Sequence, residues 1–178
     1  MAEDKGMANK LHTIAKKALN QGDKEAALEE SVFLKNFFME ALRLHPLAPV
    51  LTGECTDDIT LLFEGNEHGF PKGTMFLFFS FTMQRHTDYC KGSKGPDEIE
   101  PDRWDVASGQ DQPFLHTFNN GPHPCPGKPL SVLEGHIFLL QVASKFDFSF
   151  PEGVDRVLYE EQMLLRPKDA MPLHVTRR

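Results

Sequence analysis

A single cysteine lies in a loop whose composition is suited to holding a reactive thiol. Residues 118–127 read FNNGPHPCPG, so Cys125 is flanked by prolines and glycines. Proline fixes its own φ and lacks an N–H donor, which rules out regular helix or sheet in this run. An apolar, helical pattern begins directly afterwards, and the N-terminus of a helix favours thiolate over thiol. The loop therefore indicates a metal ligand or a nucleophile at Cys125.

Three interpretations of Cys125 remain open from the loop alone. Zinc binding would need a partner such as His116, His123 or Cys90, but the spacing matches no common zinc motif. A hydrolytic nucleophile would need a paired histidine and an oxyanion hole, and eight histidines make chance pairings easy. A buried cysteine with a purely structural role is the simplest alternative. Other motifs of the chain are needed to choose between them.

A glutamate and an arginine form the second group of residues that could act together. Glu40 and Arg43 are three positions apart on a predicted helix, so their side chains share one face. Such pairs are usually exposed and contribute little to stability. Here the surrounding run FFMEALRL is unusually apolar, and a buried pair needs further polar partners. Arg103, in the segment PDRW, is the candidate third member. We predict a Glu–Arg–Arg network that holds the long loop against the helix and fixes the place of Cys125.

Hydrophobic periodicity and helix breakers predict the elements that position these residues. Helices are predicted over 7–20, 24–44, 82–90 and 128–145, and strands over 59–64, 74–79, 146–150 and near 164 and 173–175. The turn between the first two strands contains GFPKG. Residues 91–124 are rich in Gly, Pro, Asp and Asn, and so long an irregular stretch is usually functional. The predicted fold class is mainly α with small β-sheets, of the α+β type.

Composition narrows the class of protein further. The 178 residues fit one domain or a part of one, and a net charge of −7 argues against a nucleic-acid partner. Phe contributes 15 aromatic residues beside two Tyr and one Trp, which favours a dry interior over a polar binding face. Three cysteines without a pairing pattern or a visible signal peptide are expected to be reduced. No apolar run is long enough to span a bilayer, so no membrane anchor is expected in this chain.

Three motifs in register resemble those of the cytochrome P-450 haem-thiolate monooxygenases. The cysteine loop is similar to the family's signature Phe-x-x-Gly-x-Arg/His-x-Cys-x-Gly, at Phe118, Gly121, Cys125 and Gly127. EALRLHP resembles the Glu-x-x-Arg motif and PDRW the Pro-Glu-Arg-Phe/Trp segment. Arg43 and Arg103 precede Cys125 by 82 and 22 positions, which is typical of the family. The similarity runs from about residue 24 to the C-terminus. Members are more than twice this length, so the chain resembles the C-terminal part of the fold.

The resemblance implies a cofactor and a set of residues that hold it. Cys125 would be the axial thiolate ligand of the iron of haem b. Phe118 would shield the sulfur, and Gly121 would let the backbone approach the porphyrin. The N–H of Gly127 would donate to the thiolate and so tune the iron. His123 stands where the family has Arg or His, and would hold a haem propionate.

The resemblance also divides the chain into segments with separate roles. It implies one partial domain over 1–178, in the order Glu-x-x-Arg helix 24–46, β-hairpin region 58–80, loop 91–127, proximal helix 128–145 and C-terminal strands 146–178. Glu40, Arg43 and Arg103 would support the haem pocket without acting on substrate. The family's oxygen-activating helix has no counterpart here, so no catalytic residue is identified. Glu54 stands near a position where a base often contacts a propionate.

The implied activity is insertion of one oxygen atom from O2 into an apolar organic substrate, with electrons from a reductase or a ferredoxin. One alternative is a non-enzymatic or inactive haem-binding fragment of a truncated or split member, which would need the missing N-terminal half. Another is a peroxide-rearranging or dehydrating member that needs no reductase. Full-length eukaryotic relatives are expected at the endoplasmic reticulum membrane. The candidates for a basic docking face are Lys72, Lys91, Lys94 and Lys128, and solvated lysines are the simpler interpretation.

Overall fold

The computed structural model describes residues 5–20, 24–90, 92–105, 115–154, 159–161, 163–168 and 171–178. Its helices are α1 (Lys5–Asn20), α2 (Lys24–Leu44), α3 (Ser80–Met83) and α4 (Lys128–Lys145), with a 3₁₀-helix at Pro101–Trp104. The strands are β1 (Leu51–Glu54), β2 (Ile59–Phe63), β3 (Asn66–Phe70), β4 (Met75–Phe78), β5 (Phe146–Ser149), β6 (Tyr159–Glu161), β7 (Leu165–Pro167) and β8 (His174–Arg177). This mixture of helices and small sheets confirms the predicted α+β class.

Three long helices build the main core. On α1 the fully buried residues Leu11 and Ala15 are one helical turn apart, so that they face the same neighbours. They cluster with Leu34 and Phe37 of α2 and with Ala143 of α4. The Nδ1 atom of His12 lies 2.8 Å from the carbonyl oxygen of Ala143 and ties α1 to the end of α4. Helix α4, which begins just after Cys125, is thereby packed against both other helices at its far end.

A glycine sets the distance between α2 and α4. A Cβ atom added at Gly135 would lie 2.5 Å from Cζ of Phe38, closer than side chains tolerate. The Phe38 ring also meets His136 edge to face, with 6.0 Å between ring centroids. Glycine inside a helix costs roughly 0.5–1 kcal/mol relative to alanine, so this position trades helix stability for close packing.

All four sheets described here are antiparallel pairs. β1 pairs with β4, β2 with β3, β5 with β8 and β6 with β7. The β2–β3 hairpin turns at Glu64 and Gly65, both with positive φ (49° and 79°), as tight two-residue hairpin loops require. β5 continues directly from α4, and its pairing with β8 brings residues 174–177 back to the end of that helix.

The stretch between the first two predicted strands contains more than the expected turn, because Gly69 and Phe70 belong to the strand β3. The strands predicted at 59–64 and 74–79 exist as β2 and β4, but they do not pair with each other. β2 pairs with β3, whose sequence NEHGF has a single large apolar residue and so gave no strand signal. β4 pairs with β1 across the whole hairpin, with Leu51 opposite Phe78.

One helix is shorter than the sequence pattern predicted. The helix expected over 82–90 begins at Ser80 and ends at Met83, and the chain continues in turns, with the N–H of Arg85 bonded three residues back to Thr82. By contrast, the predicted bounds of the helices at 24–44 and 128–145 coincide with those of α2 and α4. Parts of the long irregular stretch, at 91 and 106–114, lie outside the described residues. Within the described part of the chain, no helix combines enough length with enough apolar character to cross a bilayer.

Candidate functional site

The glutamate and arginine of α2 form a doubly bonded pair inside the protein. Both Glu40 and Arg43 have an exposed fraction of 0%. The Nε and Nη2 atoms of Arg43 donate to the two carboxylate oxygens of Glu40, each at 2.8 Å. This side-by-side arrangement is the strongest geometry for an arginine–carboxylate pair. It places a full negative charge and a full positive charge in the interior, where both need further partners.

Three more donors complete the hydrogen bonding of the Glu40 carboxylate. Arg103 Nε donates to Oε1 at 3.2 Å, and the backbone N–H of Glu100 donates to the same oxygen at 3.0 Å. The indole N–H of Trp104 donates to Oε2 at 2.9 Å. The structure therefore joins Glu40, Arg43 and Arg103 in one buried cluster, which we call the Glu40 network. The segment around the 3₁₀-helix is held against α2 through it.

The Glu40 network keeps its glutamate ionised. Burial alone raises the pKa of the Glu40 carboxyl, but the hydrogen bonds and charge of Arg43, together with the Trp104 indole, outweigh burial and hold that pKa below its usual value of 4.5. Arg43 also donates to three backbone carbonyls, at Gln84, Pro96 and Glu98. These bonds offset the cost of removing its guanidinium from water.

The loop before the 3₁₀-helix wraps closely around Arg103. Arg103 Nη2 lies 3.0 Å from the Glu100 carboxylate and donates to the carbonyl of Gly95 at 2.9 Å. A Cβ atom added at Gly92 would lie 2.8 Å from Cζ of Arg103. Any side chain there would displace the Arg103 guanidinium, the Glu100 carboxylate or the loop itself, so glycine favours the close approach.

The cysteine loop differs from the Glu40 network in being exposed. Cys125 is exposed, as is every residue from 121 to 130. The backbone holds the cysteine in place: its N–H donates to the carbonyl of Phe118 at 2.8 Å, and its carbonyl accepts from Lys128 at 3.2 Å. Gly127 caps α4, which begins at Lys128. The sulfur therefore lies on the surface at the beginning of α4, not in the interior as a purely structural cysteine would.

The other residues predicted to surround a haem differ in their exposure. Phe118 is buried beneath the loop, and Lys128 Nζ lies 5.9 Å from the centre of its ring. Gly121 has φ +88°, a backbone conformation that glycine adopts more readily than other residues. A Cβ added there would meet nothing within 4 Å, so the space around it is open. His123 is exposed, and its carbonyl accepts from Asn119 Nδ2 at 3.1 Å.

These observations fit the approach of a large planar group to the sulfur. A cysteine packed into the apolar interior would leave no room for such a group, whereas Cys125 and the space around Gly121 are open. In the described part of the chain, no three His, Cys, Asp or Glu side chains converge as a multidentate metal site requires, so the zinc alternative finds no support there.

Sequence reasoning missed two buried polar residues of this region. The indole of Trp104 was recognised only as part of the PDRW segment, although its N–H completes the Glu40 carboxylate. Gln84, which is 1% exposed, received no role although it bonds both α2 and the start of the cysteine loop. The sequence around PDRW is mostly polar, and no sequence signal marked either the bonded indole or Gln84.

Comparisons with known proteins agree with this geometry. The sequence profile of the cytochrome P450 family matches residues 1–174, further towards the N-terminus than the three motifs indicated. Cytochrome P450 3A15 of Cavia porcellus is 28% identical over 100% of this chain and 35% of its own length. Cytochrome P450 52E2 of Candida apicola is 32% identical over 67% of this chain and 24% of its own. The mitochondrial sterol 26-hydroxylase of Mus musculus is 27% identical over 82% and 27%.

The chain thus spans about a third or less of the length of these relatives. Its match to the family nevertheless covers nearly every residue, including all three motifs. The chain belongs to the cytochrome P450 family.

Proposed function

We propose that this chain supplies the cysteine side of a haem site, with the Cys125 thiolate as the axial ligand of iron. The observation that carries the proposal is the exposed Cys125 at the beginning of α4, in a loop whose backbone is bonded to the buried Phe118. Bound through a thiolate, haem supplies the chemistry of dioxygen activation. The chain's own residues position the sulfur and control its surroundings.

Four neighbours of the sulfur would each have a distinct role. Phe118 would keep water from the buried side of the loop. Gly121 would let the backbone lie close to the porphyrin, and the N–H of Gly127 would donate to the thiolate and moderate its charge. The exposed imidazole of His123 would bind a propionate. Glu40, Arg43 and Arg103 would act only as supports, because they are buried and fully engaged with one another.

For the whole protein we propose a monooxygenase that transfers one oxygen atom from O2 to an apolar organic substrate. The electrons would come from a reductase or a ferredoxin. Membership of the family supports this activity. The peroxide-rearranging alternative would use the same thiolate without an electron donor.

One observation favours the second candidate, a haem-binding chain without turnover. Oxygen transfer to an apolar substrate needs a site that excludes water. Around Cys125 every residue from 121 to 130 is exposed, and so are the large apolar residues Leu133, Ile137 and Phe138 further along α4. On this reading the 178-residue chain binds haem, and oxygenation needs further protein to cover this face.

Carbon monoxide spectroscopy tests the ligand assignment. The chain is reconstituted with haemin, reduced and treated with CO, and we expect the red-shifted Soret band of thiolate ligation. Cys125→Ala should remove that band. The matched control is Cys55→Ala, which changes a buried cysteine in the turn after β1 and should retain the band. A parent chain without the band, or a Cys125→Ala variant with the same band, would refute the proposal.

Turnover separates the two candidates. The haem-loaded chain is given a reductase, its electron donor, O2 and an apolar probe substrate. Hydroxylated product that depends on Cys125 supports the monooxygenase in this chain itself. Consumption of electrons without product, in a chain that shows the thiolate band, supports the haem-binding candidate.

A further inference from the structure

A buried glutamine outside the family motifs lies where three distant parts of the chain meet. Gln84 directly follows α3 and is 1% exposed. Its Nε2 donates to the carbonyl oxygen of Arg43, at the end of α2, at 3.0 Å. Its Oε1 accepts from the backbone N–H of His116 at 2.7 Å and from the Thr117 hydroxyl at 3.1 Å. The side chain therefore links the Glu40 network to the start of the cysteine loop.

The partners of this amide fix its orientation. A backbone carbonyl can only accept, so the Arg43 carbonyl requires the amide nitrogen. A backbone N–H can only donate, so His116 requires the amide oxygen. Methionine at this position would have a similar length but satisfy neither partner. Glutamate would satisfy His116 but, when ionised, could not donate to Arg43.

The backbone of Gln84 is as firmly held as its side chain. Its N–H donates to the carbonyl of Ser80 at 3.0 Å, and its own carbonyl accepts from Arg43 Nη1 at 3.0 Å. The fully buried Ser80 in turn donates to the carbonyl of Ala48 at 2.6 Å. Arg43 and Gln84 thus bond to each other in both directions, and the amide projects from a fixed point.

Only a short stretch of chain separates the residues that bind the Gln84 amide from Cys125. His116 and Thr117 lead directly to Phe118, and the carbonyl of Phe118 accepts the N–H of Cys125 at 2.8 Å. The Thr117 hydroxyl also lies 3.2 Å from the carbonyl of Leu42, so its single proton is shared between Gln84 and α2. After Phe118, Asn119 is half-buried and residues 120–125 are exposed, and the side chain of Asn120 bonds back to Leu115 and His116. The last buried anchor before Cys125 is therefore the stretch that Gln84 binds.

We infer that Gln84 is a positioning residue for Cys125. It fixes where the cysteine loop leaves the Glu40 network and so fixes the place of the sulfur. The consequence for haem rests on the proposed function, whereas the consequence for the loop itself does not. Small displacements of a ligand matter, because reactive sites depend on geometry held within about half an ångström.

Amide hydrogen exchange in the full 178-residue chain, without haem, measures the anchor directly. In Gln84→Met we expect the amide of His116, which loses its acceptor, to exchange on the order of tenfold faster. We expect faster exchange at Cys125 as well, because the segment that carries its acceptor, the Phe118 carbonyl, is less firmly held. Core amides of α1 and α4 should keep the parent rates. Gln84→Glu retains the acceptor and should keep His116 protected. The control is Gln141→Met on the exposed side of α4, which should change neither amide.

The same variants are then loaded with haemin and examined as the reduced CO complex. We expect Gln84→Met to show a smaller fraction of thiolate band than the parent, and Gln84→Glu to recover part of it. A parent with the band and a Gln84→Met variant with an equal fraction would overturn the inference. A parent without the band refutes the proposed function instead, and the exchange rates still decide on the anchor.

Two further outcomes are decisive. Faster exchange throughout α1, α4 and the loop alike would mean general destabilisation and would overturn a positioning role. If Gln84→Met does not fold, Thr117→Val takes its place. It removes the hydroxyl that bonds both Gln84 and the carbonyl of Leu42, while the N–H of His116 keeps its acceptor. Faster exchange at Cys125 in Thr117→Val then supports the inference, and unchanged exchange overturns it.

Discussion

The Glu40 network and the cysteine loop differ in how far their functional side chains are exposed to solvent. In the network, Glu40 and Arg43 have no exposed surface, and five donors converge on one carboxylate. In the loop, residues 121–130 are all exposed, and Cys125 is held by backbone bonds alone. Only 22 positions separate Arg103 of the network from Cys125.

The difference shows that the residues that hold the fold together and the residue that is open to a ligand lie in separate regions of the chain. Buried ion pairs are costly to form but also costly to break, so they hold distant segments in one arrangement. A ligand atom, by contrast, must remain open to the group that it binds. The charges of the Glu40 network lie inside, where they hold segments together, whereas the sulfur lies at the surface and is positioned through its backbone. The experiments below test how far the two regions are independent.

Removal of the buried carboxylate should have the largest effect. Glu40→Gln would leave the buried guanidinium of Arg43 without its paired carboxylate, and Arg103 with the carboxylate of Glu100 alone. We expect a loss of about 3–5 kcal/mol in the free energy of unfolding, measured by urea denaturation. The control is Asp102→Asn, whose side chain is 75% exposed and lies 3.9 Å from Lys10, and it should cost less than about 1 kcal/mol. Similar losses in both variants would contradict the conclusion that the buried Glu40 network holds the segments together.

The second-largest loss of stability is expected from a change at the contact between α2 and α4. Gly135→Ala adds a methyl group against Phe38, with an overpacking cost of roughly 1–3 kcal/mol that exceeds the gain in helix propensity of roughly 0.5–1 kcal/mol. Stability should therefore fall, although the same change on an open helix face would raise it. In the Phe38→Leu background the cost should shrink, and a double-mutant cycle measures the coupling. Additive costs would mean that the two residues do not collide.

Acid should weaken the packing between α2 and α4 through the half-buried His136. Burial, with a smaller contribution from the Lys35 charge, lowers the pKa of His136 below its usual value of 6.5. Because the folded pKa is depressed, the unfolded chain binds a proton first as the pH falls. Stability is thus complete above about pH 6.5 and declines below it. His136→Phe should flatten this decline in urea titrations between pH 7 and 5, while above pH 7 the two curves should run parallel. An unchanged slope would exclude His136 as the cause.

The smallest change in stability should come from the residue proposed for the chemistry. Cys125→Ala alters an exposed side chain and should change the free energy of unfolding of the haem-free chain by less than about 0.5 kcal/mol. Cys55→Ala empties space around a buried cysteine and should cost about 1 kcal/mol. Urea denaturation of both variants measures the contrast. A larger loss for Cys125→Ala would mean that the loop contributes to the core.

The sequence predicted the features that depend on residues close together in the chain. Glu40 and Arg43 share a helix face by spacing alone, and their apolar surroundings indicated burial. The prolines and glycines around Cys125 indicated a loop, and the periodicity of α2 and α4 gave their bounds. Here local rules and the final structure agree because each feature is set within a few residues.

The features that sequence reasoning missed depend on contacts between distant segments. β1 and β4 pair across 20 intervening residues that contain another hairpin, and β3 carries only one large apolar residue. Gln84 acquires its role from Arg43 and His116, which lie 41 and 32 positions away. Neither periodicity nor composition indicates hydrogen-bond partners that are so far apart in the sequence.

The sequence separations in the Glu40 network also bear on how the molecule assembles. Bonds from Glu40 to Arg103 and Trp104 close loops of 63 and 64 residues, whereas the β2–β3 hairpin needs only a two-residue turn. Hairpins form within about 1–10 μs, and contacts between distant residues are slower because chain entropy must be lost first. The stretch from His116 to Phe118 has its anchors only once α2 and Gln84 are in place. During refolding the cysteine should therefore reach its final position late, after the scaffold beneath it has closed.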